Sequence, residues 1–527
     1  MNYIELFAGC GGLSLGLKSL GFQMVMANEL SPMAAETFAF NFLNEDLSEL
    51  GGKSPHLHDR KTLWLSSKYS LDQFNFRLRE NPFEYPSAEI GHSELDPYGS
   101  NLDGSLIVGN LVQLNDWLST HKKALGKLKN SFGRGEVDLI SGGPPCQSFS
   151  MAGLRQKDAE KNSLPWEFAK FVKRIEPKFV LLENVTGILR PFSGKDGERY
   201  FAWFELARAF AEIGYVPLCL HVNAKFTRVP QNRPRFILLG IRKDLVNQLF
   251  SSFNKSEKKL LAEPISFFTK IAKGANVSLV DLSYFDVSKL KDQHIFDTSF
   301  LFPLNSNKNF VSVRDAIDDL ASKKVKASKY SNELDTTFSH LLANKKISNH
   351  ELRKNNDLVR RRFRIYQLIE EKSSASRKEI LDVMQGRAYE ISNKTWEDFS
   401  QEEFLLESGV FSTLKSKKSL VNFLQKHSTK KRTQKALNAS QPAPAALSIP
   451  DDACHYSKSH LRTLTVREMA RIQSFPDSFT FCSKITTGGS MRRFEVPQYT
   501  QVGNAVPPLL GRALGLVVLD LLARLKK

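Results

Sequence analysis

Three side chains with the means to do chemistry each follow a short apolar run. Glu29 comes after Phe22–Ala27 and Asn28, Cys146 ends Ser141-Gly-Gly-Pro-Pro-Cys146 after Val137–Ile140, and Glu183 opens Glu183-Asn184-Val185 after Lys178–Leu182. A thiolate is a strong nucleophile, and a carboxyl group can share or move a proton. Glu29 stands about 20 residues beyond the turn Ala8-Gly9-Cys10-Gly11-Gly12, where a doubly wound sheet places an acid that accepts from ribose hydroxyls. Each feature has a plainer alternative. A thiol after an apolar strand is often an inert core group, a glycine turn can serve the fold alone, and a strand-end Glu can be a structural salt bridge. The glycine spacing also departs from Gly-x-Gly-x-x-Gly, which disfavours a dinucleotide.

The elements that must position these groups are legible in outline. Tyr3–Phe7 predicts a buried strand, and Leu13, Leu17 and Leu20 mark one face of a helix that Gly21 can end. Phe22–Ala27, Val137–Ile140, Lys178–Leu182 and Phe236–Gly240 predict further strands, the last preceded by the basic turn Gln231-Asn-Arg233-Pro-Arg235. In open parallel sheets active groups collect beyond the carboxyl ends of the strands, so one crevice can hold Glu29, Cys146 and Glu183. The mostly apolar Leu509–Leu525 predicts a helix buried against this sheet. Residues 44–104, rich in turn formers such as Asn81-Pro82 and Asp96-Pro97, read as a partly ordered insertion.

The chain has 527 residues, 41% hydrophobic and 25% charged, which suits two to four domains and excludes disorder throughout. Lys+Arg number 74 against 56 Asp+Glu, a net +18, pointing to a polyanion: nucleic acid or an anionic membrane surface. No apolar run approaches the ~18 residues of a membrane span, and the N-terminus has no signal core. Residues 241–460 hold about 37 Lys/Arg and about 26 Asp/Glu, and that accumulation favours a polyanion-binding module, although any one basic run reads as a solvated face. Ser440–Pro450 looks like a linker. Cys10, Cys146, Cys219, Cys454 and Cys482 are too scattered for a disulfide framework and include no Cys-x-x-Cys pair, so a reduced, intracellular protein without a structural metal is expected.

Several blocks, in order, resemble the cytosine-5 DNA methyltransferase family in its compact bacterial form. They are Phe7–Gly12, Asn28-Glu29-Leu30, Gly142–Ser150, Glu183-Asn-Val185, Gln231-x-Arg233-x-Arg235, Arg462–Pro476 and Gln501-Val-Gly-Asn-Ala-Val-Pro507. The resemblance covers 1–43, 105–240 and 460–527. It implies an α/β fold: a Rossmann-like S-adenosylmethionine-dependent methyltransferase sheet with helices on both faces, plus a second, smaller, basic DNA-recognition domain. The implied division is 1–240 catalytic and cofactor-binding (44–104 inserted), 241–460 target recognition, 461–496 a hinge, and 497–527 a return to the catalytic domain.

By the same resemblance Cys146 adds to carbon 6 of cytosine, Glu183 stabilises the adduct at ring nitrogen 3, and Arg233 and Arg235 orient the base. The implied cofactor is S-adenosylmethionine, lined by Phe7, Ala8, Gly9, Gly11 and Gly12, with Glu29 on the ribose. Leu30, Leu111, Pro145 and Leu164 give apolar contact, and Asn504 and Ala505 close the pocket. Gly109-Asn110 stands where the family usually has Gly-Asp, and the Asn110 side-chain oxygen can still accept from an adenine amine.

The expected substrate is double-stranded DNA with its target base flipped out, and the expected enzyme is a monomer in the bacterial cytoplasm, associated with the nucleoid. The first block starts almost at residue 1, which favours a prokaryotic enzyme. A cognate restriction endonuclease is the expected genetic, rather than physical, partner. Two alternatives stand beside this one: a transfer RNA methyltransferase, and a non-catalytic DNA-binding relative.

Overall fold

The computed structural model describes residues 1–51, 59–145, 164–193, 199–306, 309–321, 327–344, 346–431, 434–445 and 447–526. Nine strands form one sheet: β1 Asn2–Leu6, β2 Gln23–Glu29, β3 Thr62–Trp64, β4 Ser105–Val108, β5 Leu139–Gly142, β6 Phe179–Val185, β7 Tyr215–Asn223, β8 Pro234–Arg242 and β9 Phe285–Asp286. Their order is β9-β7-β8-β6-β5-β1-β2-β4-β3. β8 runs antiparallel to β6 and β7, and every other pairing in the sheet is parallel. The near-continuous apolar runs read from the sequence are the central strands, which must be covered on both faces. β1 is buried along its whole length.

The chain moves outward from β1 through β2 to β4, then returns to β5 on the other side of β1. The switch point therefore lies between β1 and β5, and the loops leaving their carboxyl ends flank a crevice. Helices α1 (Gly12–Lys18), α2 (Pro32–Phe42), α3 (Leu111–Thr120), α4 (Leu164–Ile175) and α5 (Ala202–Glu212) connect the strands. Right-handed crossovers put α1 and α2 on one face and α3, α4 and α5 on the other. On that second face α3 packs on α4 and α4 on α5.

Residues 59–104 are more ordered than their turn formers suggest. Strand β3 extends the sheet beside β4, and Trp64, Phe74, Leu78 and Tyr85 are buried in a cluster with Phe38 and Leu106. The Glu94 carboxylate pairs with Arg60 and Arg77 and accepts from Trp64 N at 2.7 Å. The prolines punctuate this segment without loosening it.

The expected boundary at 241 is not a packing boundary. Helix α6 (Lys255–Ala272) packs on α5 and β7, and the buried core of the sheet continues through Leu245, Leu260, Phe296 and Leu342. A separate buried cluster begins at Phe363, built by α7 (Asp357–Glu370), α8 (Ser374–Met384) and α9 (Lys417–Lys426). The composition of 241–460 hides this division because both halves are rich in Lys, Ser and Asn.

The chain then returns through α10 (Val466–Ile472), α11 (Gln498–Asn504) and α12 (Pro508–Leu525). Around α10, Arg462 grips Glu468 with two bonds of 2.7 and 2.6 Å. Arg471 joins Asp477 and Asp319, and Arg467 donates to the carbonyls of Ser348, Pro476 and Phe479. The 461–496 stretch is thus tied to 241–460, and Thr480 and Cys482 tie it to Asn41 and Thr37 of the first part. No single helix among the described residues is long and apolar enough to cross a membrane.

Helix α12 lies on α1, and the approach is close because both present glycines. A Cβ on Gly16 would sit 2.4 Å from Arg512 N and 2.6 Å from Pro508 O, and one on Gly12 would sit 2.1 Å from Val506 O. These are backbone atoms that a rotamer change cannot move. Gly16→Ala is expected to destabilise the protein by at least about 1–3 kcal/mol, seen as a lower melting temperature.

Candidate functional site

The exit of β1 carries the first part of the site. Phe7 adopts φ 56°, a left-handed conformation uncommon for an aromatic residue, and Gly9 has φ 57°. Backbone strain of this kind gathers where a site must be shaped. The glycines of the turn divide by role. A Cβ on Gly9 would enter open space, whereas one on Gly11 would strike the Phe42 ring at 2.2 Å and one on Gly12 the Val506 carbonyl. Gly11 and Gly12 are thus demanded by internal packing, and Gly9 is where the backbone lies open to a ligand. Ala8 is buried, and its N–H bonds the Asn28 carbonyl.

Glu29 ends β2 beside this turn. Its Oε2 accepts from Gly9 N and its Oε1 from Ser31 N, each at 2.8 Å. Burial raises its pKa, and the N–H groups of Ser31, Gly9 and Leu30 counter that rise. Glu29 O also accepts from Gly109 N, and Asn28 Nδ2 donates to the Ile107 and Gly109 carbonyls at 3.0 Å. These bonds fix Asn110 next to the acid. Asn110 is the N-cap of α3, its Oδ1 accepting from Val112 N at 2.8 Å. Leu111 is buried in the core, while Leu30 and Leu164 are half-buried and Pro145 is exposed.

Glu183 forms the second part. Near the carboxyl end of β6, its Oε1 pairs with Arg235 Nε at 2.6 Å, both side chains being 11% exposed. Arg235 reaches it because β8 runs antiparallel to β6, which brings the first residues of β8 to the carboxyl end of β6. Glu183 Oε2 faces Gly143, where an added Cβ would sit 3.1 Å away. Asn184 Nδ2 donates to Pro144 O at 3.2 Å, tying the β5 exit to the β6 end. Cys146, next after Pro145, lies outside the described residues, as do 147–163.

Arg233 differs from its expected role. It is 2% exposed, and its guanidinium donates to Gly503 O at 2.8 Å, Ala505 O at 3.0 Å and Ala445 O at 3.3 Å. Its N–H groups face backbone carbonyls, and Arg235 alone of the pair forms an ion pair with Glu183. Asn504 is exposed and Ala505 is buried. A chain of contacts thus runs from Glu29 through Gly9 to Gly12, Val506 and Ala505, then through Arg233 to Arg235, Glu183 and Gly143.

Two supports escaped the sequence reading. Gln501 Nε2 donates to the carbonyls of Met33 at 3.1 Å and Val496 at 3.0 Å, and its Oε1 accepts from Thr37 Oγ1 at 2.6 Å. Beneath the glycine turn, Ser14 Oγ bonds the Glu5 carboxyl and accepts from Tyr3 OH at 2.9 Å. Polar residues inside apolar runs were the available signal.

Burial, with a contribution from the Glu29 charge, raises Glu5 from its ordinary 4.5 to about 8. The folded state therefore holds a proton that the unfolded chain releases, and this contribution to stability is lost as pH rises from about 4.5 through about 8. In Glu5→Gln, melting temperature measured from pH 5 to 8 is expected to fall less steeply than in wild type, by up to about 1.4 kcal/mol per pH unit. Arg233→Met leaves two buried carbonyls and one part-buried carbonyl without their donor and is expected to cost several kcal/mol, at about 1–3 kcal/mol for each buried one. Chemical denaturation measures it.

A family model for C-5 cytosine-specific DNA methylase matches residues 1–56 and 117–519. A type II methyltransferase of Desulfomicrobium norvegicum (M.DdeI) is 27% identical over 98% of this chain and 87% of its own length. One from Haemophilus parahaemolyticus (M1.HphI) is 23% identical over 99% and 87%, and one from Bacillus paralicheniformis (M.Bpa9945I) is 26% identical over 99% of both. With its sheet, crevice and motif residues on these terms, the chain belongs to the C-5 cytosine-specific DNA methylase family and is a DNA cytosine-5 methyltransferase.

Proposed function

We propose that the protein transfers a methyl group from S-adenosylmethionine to carbon 5 of a flipped cytosine within a specific sequence of double-stranded DNA. The observation that carries this reading is the Glu183–Arg235 pair set against the β5 exit that leads to Cys146. The residues at the β1 exit fit a nucleoside-bearing cofactor: Gly9 is open, Glu29 offers acceptor oxygens beside it, and Asn504 is exposed. Phe7, Ala8, Gly9, Glu29, Leu30, Asn110, Leu111, Pro145, Leu164, Asn504 and Ala505 hold it, with Gly11 and Gly12 shaping the turn from behind.

Bound there, S-adenosylmethionine supplies an electrophilic sulfonium methyl. Cys146, as thiolate, adds to carbon 6 and makes carbon 5 nucleophilic. Glu183 shares a proton at ring nitrogen 3, where negative charge gathers, and Arg235 holds that carboxylate in place. Loss of the carbon-5 proton and departure of the Cys146 sulfur then free the base. The basic surface around the second buried cluster grips phosphates and reads base edges. The type II names of its relatives support a protective role beside a cognate restriction endonuclease.

Bisulfite sequencing of DNA from cells that lack their own cytosine-5 methylation tests the reaction. Protected cytosines confined to one short sequence are expected, and none from folded protein would overturn the reading in favour of RNA or a non-catalytic role. Cys146→Ser is expected to abolish transfer while DNA binding persists, and Glu183→Gln to slow it by about 10²–10⁴-fold. Methyl incorporation and gel-shift assays check both.

A further inference from the structure

At the junction of the returning chain, a cavity of about 290 Å³ opens between the 448–451 segment, the 486–495 loop and α11. Arg353 and Arg492 both line it, together with Thr487, Tyr499 and Thr500. Its acidic groups are already matched. Glu495 pairs with Lys484 at 2.5 Å and accepts from the Thr487 hydroxyl, and Asp451 pairs with Lys431 at 2.8 Å. Neither arginine has a carboxylate partner among the described residues, and both are exposed. Arg353 lines the cavity together with Tyr499, and Arg492 Nε donates to Thr487 O at 3.2 Å. The cavity therefore offers two uncompensated guanidinium groups held by the walls that define it.

Its position gives this charge a use. Thr500 precedes Asn504 on the same helix by about 6 Å of rise, and its Oγ1 bonds Ser448 O at 3.4 Å. The 443–444 strand pairs with Gln231 and Asn232, next to Arg233. The loop from Thr486 to Arg492 also contains Gly488 and Gly489, where an added Cβ would meet nothing within 4 Å, so a bulky anion can approach its backbone.

We infer that this cavity is a phosphate cradle: Arg353 and Arg492 bind a backbone phosphodiester of duplex DNA close to the target nucleotide. The inference rests on the proposed function and adds a site to it. A guanidinium presents a planar fork that matches a phosphate, and each phosphate neutralised adds to the salt dependence of binding. Such contacts position the duplex without reading its sequence.

The test measures the KM for unmethylated genomic DNA against KCl concentration for wild type and for Arg353→Ala/Arg492→Ala. The double variant is expected to raise the KM for DNA about tenfold near 0.1 M salt and to lower the slope of log affinity against log salt by about 1 to 2. The KM for S-adenosylmethionine is expected to stay as in wild type. A wild-type slope in the double variant, with wild-type enzyme methylating DNA, overturns the cradle and leaves the proposed function intact. Wild-type protein that methylates no duplex DNA overturns both. If the alanine pair lowers the melting temperature, Arg353→Gln/Arg492→Gln is read by the same slope.

Discussion

The site depends on one constraint: the chain after residue 500 has to lie directly on the first helix. Gly12 and Gly16 let the backbones meet without a side chain between them, and Gly511 and Gly515 make room for Leu13, Leu17 and Leu20 from the other side. With α12 seated, Val506 sits behind the glycine turn and Ala505 comes within reach of Arg233. Gln501 then fastens α11 to α2 through Met33 and Thr37. A loss of close packing here removes more than local contacts, since the buried carbonyls of Gly503 and Ala505 depend on Arg233 and Arg233 depends on their position.

Much of this was legible in the sequence because central parallel strands advertise themselves. Tyr3–Phe7, Val137–Ile140 and Lys178–Leu182 are mostly apolar, and each overlaps a central strand of the sheet. Strand β7 was harder to see, since Pro217 argues against a strand interior. It is admitted because β9 covers only Leu220 and His221, leaving Pro217 without a neighbour on that side. Order within 59–104 was hidden by turn formers whose carboxylate anchor, Glu94, serves arginines 34 and 17 positions away. The role of Arg233 was out of reach for the same reason: its acceptors at Gly503 and Ala505 lie 270 and 272 positions along the chain. A motif names residue types, and long-range geometry decides which of them faces the ligand.

Arg233 and Arg235 show how one short turn serves two ends. The first is spent on backbone carbonyls and the second on a carboxylate. Both need the antiparallel β8, whose start is the only end of that strand adjacent to the crevice. A parallel strand at this place would carry its amino end, and both guanidinium groups, to the opposite edge of the sheet.

The interlock of the two ends of the fold also sets when the enzyme can exist. Cys10 touches Gln501 across 491 positions, so a ribosome must have passed residue 501 before the glycine turn gains its backing. Until then α1 exposes a bare glycine face, and the nascent chain lacks the carbonyls that hold Arg233. Contacts of such high sequence separation form late in folding. A chain that stops before residue 501 therefore carries the glycine turn and Arg233 without the backbone that packs on them.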